Sequence, residues 1–314
     1  MSTASKSRIK PLALQPGDTI GIIAPASSFK RDLLETGCKV LSDLGYKPFY
    51  SDSIFERDLY FAGSVERRVQ EFEQMLSRDD VRAIICTRGG YGSNYLLPHL
   101  NAKKIAAAQK IFIGYSDITS LLTWFTDSGL VTFHGPMVAA DFSKQDGVDL
   151  SSLQAALTGS SSWMVAADIE PLVEGSAEGT LYGGCLSILV ASLGTPYEIQ
   201  TSGTILFVED INAKPYQIDR MLMHLKLAGK FSGVRGLIFG EMVDCIQNKD
   251  QGYTLREVIL RVVGDLGIPI GFGLRSGHVS RGNITLPFGV QVRLAVGANV
   301  TLEILEPATV PRKS

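Results

Sequence analysis

The chain of 314 residues is 45% hydrophobic and 20% charged, which excludes a disordered chain, a fibrous chain and a disulfide-stapled miniprotein. Its 30 Lys and Arg residues against 32 Asp and Glu residues give a formal net charge of −2. A chain with this balance has no overall electrostatic attraction for nucleic acid or for an anionic membrane. At about 100–200 residues per domain, the length predicts two domains.

The N-terminal segment Met1–Pro11 carries charge but is not followed by an apolar run, so we expect no signal peptide. No stretch approaches the roughly 18 apolar residues of a membrane span. These two features predict a soluble, cytoplasmic protein. The cysteines are widely spaced, at Cys38, Cys86, Cys185 and Cys245. We therefore expect reduced, buried thiols rather than disulfides, a redox pair or a zinc knuckle.

The first half of the chain alternates short apolar runs with apolar residues at helical spacing. The predicted strands are Thr19–Ala24, Lys47–Tyr50, Val81–Cys86 and Lys110–Ile113. Helical periodicity follows the first strand from Leu33 to Leu44 and the last from Ile118 to Phe125. Alternating strands and helices predict a mostly parallel sheet covered by helices on both faces.

Hydrophobic periodicity is weak between Asp141 and Glu178, where Ser, Asp and Gly are frequent. We therefore expect an N-terminal α/β domain at 12–145, a linker region at 146–178 and a C-terminal domain at 179–314. The latter has predicted strands at Thr204–Val208 and Gly236–Gly240, and between them a helical face at Ile218, Met221, Leu222 and Leu225. Its tail from Asn283 to Leu305 instead alternates apolar and polar residues. This alternation is typical of antiparallel strands, so we predict a mixed, mainly β second domain.

Four polar or glycine-rich segments directly follow predicted strands. They are Pro25–Ser28, Arg88–Gly92, Gly114–Asp117 and Glu209–Asp210. Ligands in open α/β sheets bind at the carboxyl ends of the strands, so these segments are the candidates for a functional site.

The segment Gly114–Asp117 leads from a predicted strand straight into a predicted helix. A tight turn of this kind can lift the hydroxyl of Ser116 off the sheet edge, with the backbone N–H of the next residue facing a developing oxyanion. The match to G-x-S-x-G is incomplete, because Ile118 stands where a second small residue is expected. Taken alone, the segment favours the alternative that Ser116 or Asp117 is the N-cap of the following helix.

The segment Arg88–Gly92 is a glycine-rich turn that lets backbone N–H groups approach an anion. It lacks the ending of a phosphate-binding P-loop and is not a dinucleotide fingerprint. The simpler alternative is a turn that needs positive φ angles. Arg88 can pair with a substrate carboxylate or with a nearby surface acid.

A serine nucleophile needs a base and an acid that orients it. Of the four histidines, His99 and His224 are explained by peripheral positions, whereas His134 and His278 follow strand-like or loop segments. His278 lies in a polar, glycine-bearing loop, which favours a functional role. The acids Glu209 and Asp210 end a predicted strand and either orient this histidine or cap the turn before the helix near Pro215.

These residues carry a resemblance to a known family over nearly the whole chain. The matching segments are Ile23–Ser27, Phe61–Gly63 with Glu66–Arg67, Arg88–Gly92, Gly114–Asp117, His134–Met137, Gly179–Gly184, Glu209–Ile211 with Pro215–Tyr216 and Arg220–Leu222, Gly277–His278 and Thr285–Gly289. In this order and at these spacings, the chain resembles the LD-carboxypeptidases, or murein tetrapeptide carboxypeptidases, which are serine peptidases.

The resemblance implies Ser116 as nucleophile, Glu209 as acid and His278 as base. It also implies an oxyanion hole made by the backbone N–H of Asp117 and one N–H of the Gly89–Gly90 turn. His134 becomes a structural or site-lining residue, and we assign Arg88 to the terminal carboxylate of the substrate. The segment Asn212–Lys214 lacks the acidic residue that many relatives carry there, which bears on side-chain preference.

The function implied is a metal-independent serine carboxypeptidase without cofactor. It would release terminal D-alanine from murein tetrapeptide during cell-wall recycling, as a cytoplasmic homodimer that binds neither nucleic acid nor membrane. One alternative is a related amidase of the microcin-resistance type that acts on another peptide or on a peptidyl-nucleotide. The other is a non-catalytic ligand-binding protein of the same fold.

Overall fold

The computed structural model describes residues 8–165, 168–246 and 252–312. In the first half, the strands are β1 (Thr19–Ile23), β2 (Lys47–Phe49), β3 (Val81–Cys86), β4 (Ile111–Gly114) and β5 (Thr132–His134). The helices there are α1 (Arg31–Asp43), α2 (Val65–Ser77), α3 (Ala102–Ala108), α4 (Thr119–Asp127) and α5 (Leu150–Leu157).

In the second half, the strands are β6 (Trp163–Met164), β7 (Glu170–Val173), β8 (Gly175–Cys185), β9 (Thr204–Glu209), β10 (Gly236–Gly240), β11 (Ile270–Leu274), β12 (Leu286–Phe288), β13 (Gln291–Val296) and β14 (Val300–Ile304). The helices are α6 (Leu186–Ala191), α7 (Pro215–Leu227) and α8 (Leu255–Val263). No helix in these described ranges is long and apolar enough to cross a lipid bilayer.

The first sheet has the strand order β12-β5-β4-β3-β1-β2, and β1 to β5 pair in parallel. Helix α2 packs against β1 and β3, and α4 packs against β4 and β5. Strands covered on both faces are apolar along their whole length, which is why β3 reads as an almost continuous hydrophobic run. The predicted parallel α/β sheet of the first half is confirmed.

The second sheet has the order β6-β14-β13-β8-β9-β10-β11-β7. Its centre, from β8 to β11, is parallel, whereas β7, β13, β14 and β6 pair antiparallel with their neighbours. Strands β13 and β14 form a hairpin because a three-residue connection allows only antiparallel pairing. The predicted mixed, mainly β character of the second half is confirmed.

The stretch 146–178, expected as a linker region, contains α5, β6, β7 and the start of β8. Strand β6 has only two residues, and β7 is exposed or half-buried along its length, so neither produces an apolar run. Conversely, β12 comes from the C-terminal part of the chain but pairs with β5 of the first sheet. The chain therefore passes between the sheets more than once.

The buried core continues from one sheet to the other. In β9, Ile205 and Phe207 point into the hydrophobic cluster shared with the first sheet. Leu206 and Val208 point the opposite way, into a second cluster that α6, α7 and α8 cover. Side chains alternate across a strand, so the two faces of β9 contact different hydrophobic clusters, and both faces are apolar. The first cluster contains residues of both sheets and therefore joins them.

Helix α7 buries one face against the second cluster. Ile218, Leu222 and Leu225 are fully buried at helical spacing, as the periodicity predicts. Leu227 on the same helix is 81% exposed.

This difference within one helix gives a matched test of the core. We expect Leu222→Ala to lower the free energy of unfolding by about 2–5 kcal/mol, because it removes a fully buried side chain and leaves a cavity. Leu227→Ala, the same chemical change on the exposed face, should change it by less than about 0.5 kcal/mol. Urea denaturation followed by circular dichroism measures both, and equal losses would contradict the packing described.

Candidate active site

The turn after β4 holds Ser116 in a strained backbone conformation. Ser116 is half-buried and has φ = 61°, in the left-handed region that non-glycine residues avoid. A Cβ on Gly114 would lie 2.7 Å from the side chain of Ile118, so only glycine fits there. The strand, the strained serine and the following helix form a nucleophile-elbow geometry.

The alternative that Ser116 or Asp117 caps the following helix is wrong. The N-cap position of α4 is Ile118, and no side chain caps this helix. The carboxylate of Asp117 instead accepts a hydrogen bond from the backbone N–H of Ser93, at 2.8 Å. Asp117 therefore ties the serine turn to the glycine-rich segment, and the Ser116 hydroxyl is not used for capping.

The glycine-rich turn lies directly against Ser116. A Cβ on Gly89 would lie 2.7 Å from Ser116 Cβ and 2.9 Å from its Oγ. Gly90 has φ = 102°, which confirms that this turn needs a positive φ. Within the described ranges, the backbone N–H groups of Gly90 and Asp117 have no protein acceptor. They are therefore available to an anion beside the hydroxyl.

Two arginines and a glutamate on α2 hold these loops together. Arg68 is 1% exposed, and its Nη1 donates to the carbonyls of Pro25 and Gly92, both at 2.8 Å. Arg67 forms a buried ion pair with Glu71 at 2.8 Å, and Glu71 accepts the backbone N–H of Ala24. The segments that follow β1 and β3 are thereby fixed to one helix.

Of the charged residues of this helix, the resemblance included only Glu66 and Arg67. It missed Arg68 and Glu71. The signal that could have found them is their position on the helix. Arg67, Arg68 and Glu71 lie on the same face as the apolar residues Phe72 and Met75, which predict that this face is buried.

A buried carboxylate and a histidine form the second part of the site. Glu209, at the end of β9, is completely buried, and its Oε2 accepts hydrogen bonds from His278 Nδ1 at 2.7 Å and from the His278 backbone N–H at 3.0 Å. Gly277 has φ = 88°, and a Cβ there would lie 2.7 Å from Glu209 Cδ. Only glycine lets the loop approach the carboxylate this closely.

Asp210 has a different role. Its carboxylate accepts the backbone N–H groups of Ser187, at the start of α6, and of Ile211, at 2.9 and 2.8 Å. Of the two adjacent acids, the structure therefore joins Glu209 to His278, while Asp210 supports the surrounding backbone.

The pair shifts the pKa of both of its members. Burial alone raises the pKa of Glu209, but the charge and hydrogen bonds of His278 outweigh it and bring this pKa below its ordinary 4.5. Burial alone lowers the pKa of His278, but the Glu209 carboxylate outweighs it and brings this pKa above 6.5. The two directions agree, because each charge stabilises the other.

The serine turn and the carboxylate–histidine pair meet at one place. The Tyr115 ring lies edge-on to the His278 ring, with centroids 5.2 Å apart. Cys185 Sγ lies within 4.8 Å of ligand atoms of Glu209 and His278. The backbone N–H of Cys185 donates to Thr119 Oγ1, just after the serine turn. No hydrogen bond joins the Ser116 hydroxyl to His278 in the portion of the chain described.

Of the remaining histidines, only His134 is near the site, where its ring lies 6.0 Å from the Tyr115 ring. His134 is completely buried, its Nδ1 is 2.9 Å from Ser276 Oγ, and burial lowers its pKa to about 4. It is therefore neutral and packs between the sheets against Phe207 and Phe288. His99 and His224 are exposed.

Arg88 borders a cavity beside the serine turn, and Tyr115 bonds a buried acid. Arg88 is exposed, donates weakly to the Ser28 carbonyl at 3.4 Å and lines a cavity of about 440 Å³. The Tyr115 hydroxyl donates to Asp141 at 3.3 Å, and burial raises the pKa of Asp141 to about 6. Sequence reasoning did not single out Tyr115 and Asp141, since their partners are distant in the chain.

One group of side chains has the composition of a metal site. Ligand atoms of Cys185, Glu209 and His278 all lie within 4.8 Å of one another. The sequence shows no cluster because these residues are 24 and 69 positions apart. Burial raises the pKa of the Cys185 thiol well above its usual value, which disfavours the thiolate that a metal requires.

This architecture is that of a hydrolase. A serine on a strained strand-to-helix turn beside a carboxylate-supported histidine is suited to acyl transfer. The family model of the LD-carboxypeptidase N-terminal domain matches residues 20–135, and that of the C-terminal domain matches residues 178–294. The chain belongs to the LD-carboxypeptidase family, a family of peptidases, and the resemblance seen in its motifs is confirmed.

Similar proteins include both carboxypeptidases and an immunity protein. The "Probable murein peptide carboxypeptidase" of Bacillus subtilis is 37% identical over 91% of this chain and 91% of its own. The Microcin C7 self-immunity protein MccF of Escherichia coli is 31% identical over 90% and 92%. The structure of wild-type MccF without ligand gives a TM-score of 0.88 at 26% identity, covering 96% and 99%. That of muramoyltetrapeptide carboxypeptidase from Oxalobacter formigenes gives 0.82 at 31%, covering 94% and 100%.

The carboxylate–histidine pair makes a prediction for spectroscopy. We expect the pKa of His278, measured from its ring protons by NMR titration, to lie above 6.5, and Glu209→Gln to lower it below 6.5. The amide keeps the shape but removes the charge that offsets burial. Glu241→Gln is the matched control, since Glu241 bonds Ser280 in the same loop and not the imidazole. An unchanged pKa in Glu209→Gln would contradict the pairing.

Proposed function

We propose that this protein is a serine-type carboxypeptidase that cleaves an L,D-amide and releases terminal D-alanine from murein tetrapeptide during cell-wall recycling. The observation that carries the proposal is the Glu209–His278 pair at 2.7 Å beside a serine held at φ = 61°. The names of the carboxypeptidase relatives support the choice of a peptide substrate.

In this proposal, Ser116 attacks the carbonyl carbon of the L,D-amide. Glu209 occupies Nδ1 of His278, so Nε2 is the nitrogen that takes the serine proton and later gives it to the leaving amine. The Glu209 carboxylate holds the tautomer and stabilises the imidazolium. Catalytic hydrogen bonds of unliganded enzymes often tighten only when substrate binds, so the serine–histidine bond forms in the complex.

Two further groups would position the substrate. The backbone N–H groups of Asp117 and of the Gly89–Gly90 turn would hold the oxyanion of the tetrahedral intermediate. Arg88, at the mouth of the neighbouring cavity, would hold the terminal carboxylate that an exopeptidase must recognise. The homodimer remains a prediction from the resemblance, and the cytoplasmic location remains a prediction from the sequence.

The first experiment is mass spectrometry of a disaccharide tetrapeptide, and of the free tetrapeptide, incubated with enzyme and a chelator. We expect the wild type to remove one alanine from each peptide and Ser116→Ala to remove none, because the nucleophile is lost. Ser128→Ala, an exposed serine after α4, is the matched control and should behave as wild type. Equal cleavage by Ser116→Ala, or cleavage abolished by the chelator, would contradict the mechanism.

The glycine-rich turn gives a second test. We expect Gly89→Ala to lower kcat by about 10²–10³, because the added methyl presses on Ser116 and displaces the oxyanion donors. Gly297→Ala adds the same methyl where no atom lies within 4 Å, so steady-state kinetics should show no change. Full activity of folded Gly89→Ala would exclude the turn from the reaction.

A second candidate is an amidase of the microcin-resistance type. It is favoured by the TM-score of 0.88 with MccF, one structure of which contains aspartyl sulfamoyl adenosine. If wild type leaves the tetrapeptides intact but hydrolyses an aminoacyl sulfamoyl nucleotide, this candidate replaces the first. If it acts on neither and Ser116→Ala still binds a peptide, the ligand-binding alternative is favoured.

A further inference from the structure

The cavity next to the serine turn is lined on one side by cations. Lys30, Arg57, Arg88 and Lys144 face a volume of about 440 Å³, and none of the described residues that line it carries a carboxylate. Each of the four side chains is exposed. In the described residues, none of the four forms an ion pair, whereas other cations such as Arg67, Arg78 and Lys104 do. Four positive charges without an ion-pair partner around one cavity attract an anion.

The cavity adjoins the proposed catalytic groups. Arg88 directly precedes Gly89, whose backbone lies against Ser116. Lys144, which also lines the cavity, is three residues after Asp141, whose carboxylate accepts a hydrogen bond from the Tyr115 hydroxyl. Tyr115 in turn contacts the His278 ring. The cavity is therefore one residue away from the serine turn through Arg88, and the contacts of Asp141 with Tyr115 and of Tyr115 with His278 link it to the histidine.

The size and charge of the cavity exceed what a single carboxylate needs. A terminal carboxylate carries one negative charge, and Arg88 by itself can bind it through two parallel hydrogen bonds. Lys30, Arg57 and Lys144 then remain without a partner. The apolar wall, made by Phe29, Leu33, Ala139 and Ala140, suits the aliphatic stem of a side chain that ends in a charge.

We propose that this basic cavity, lined by Lys30, Arg57 and Lys144 beyond Arg88, binds a second carboxylate of the peptide substrate and makes the enzyme selective for acidic peptides. This inference rests on the proposed function and adds a specificity site to it. The three cations are substrate-positioning residues and take no part in proton transfer.

The test compares tetrapeptides in which each side-chain carboxylate in turn is replaced by a carboxamide, with the terminal carboxylate kept. For wild type, we expect one replacement to lower kcat/KM by about tenfold to a hundredfold, the value of a charge-assisted hydrogen bond. In the double variant Arg57→Met with Lys144→Met, this acid-to-amide ratio should fall close to one. Lys103→Met, an exposed cation on α3 away from the cavity, should leave the ratio as in wild type.

A binding measurement separates this inference from the proposed function. Calorimetry with Ser116→Ala and the same acid and amide peptides reports recognition without turnover. Suppose that wild type cleaves no tetrapeptide, but that Ser116→Ala binds the acidic peptide more tightly than the amide peptide and loses this preference when the two Met substitutions are added. The proposed carboxypeptidase function is then wrong, and the cavity assignment stands. If cleavage occurs and neither kcat/KM nor affinity distinguishes acid from amide, or the double variant keeps the full ratio, the cavity assignment is wrong.

Discussion

The burial of the Glu209 carboxylate is the constraint on which the site depends. An ionised carboxylate with no solvent contact is costly unless charge and hydrogen bonds stabilise it, and His278 supplies both. The loop that carries His278 runs from β11 of the second sheet to β12 of the first. Gly277 and Gly240 leave room for the carboxylate, since a Cβ at either would lie under 3 Å from Glu209. The need to stabilise the buried Glu209 charge therefore fixes the position of the loop that connects the two sheets.

The opposite side of the site is fixed by backbone hydrogen bonds to buried arginines. Arg68 joins the loops after β1 and β3 through two carbonyls, and Asp117 joins the serine turn to the second of these loops. These contacts hold Ser116 in a conformation that its own backbone disfavours. The backbone strain at Ser116, the free N–H groups of Gly90 and Asp117 in the described ranges and the adjoining basic cavity all occur where strand ends and loops meet at one edge of the sheet.

How far the sequence predicted the fold depended on how completely each element is buried. Strands β3 and β9 are covered on both faces, so their apolar runs gave their positions to within a residue or two. Strands β6 and β7 lie at the edges of the second sheet and are partly exposed, so the stretch 146–178 resembled a linker. Helix α8 and strand β11 were not predicted either, although both are present in the second half.

The sequence by itself determined the strand ends that carry polar residues, because periodicity and glycine spacing are local properties of the chain. It also identified the family, because the order and spacing of the motifs can be seen in the sequence without a structure. Only the tertiary structure decided that Glu209 rather than Asp210 meets His278, and that Asp117 does not cap a helix. It alone also places Arg68 and Tyr115 at the site and brings four separated cations together around the neighbouring cavity. These contacts join residues from different parts of the chain, and long-range packing, which no local pattern encodes, brings them together.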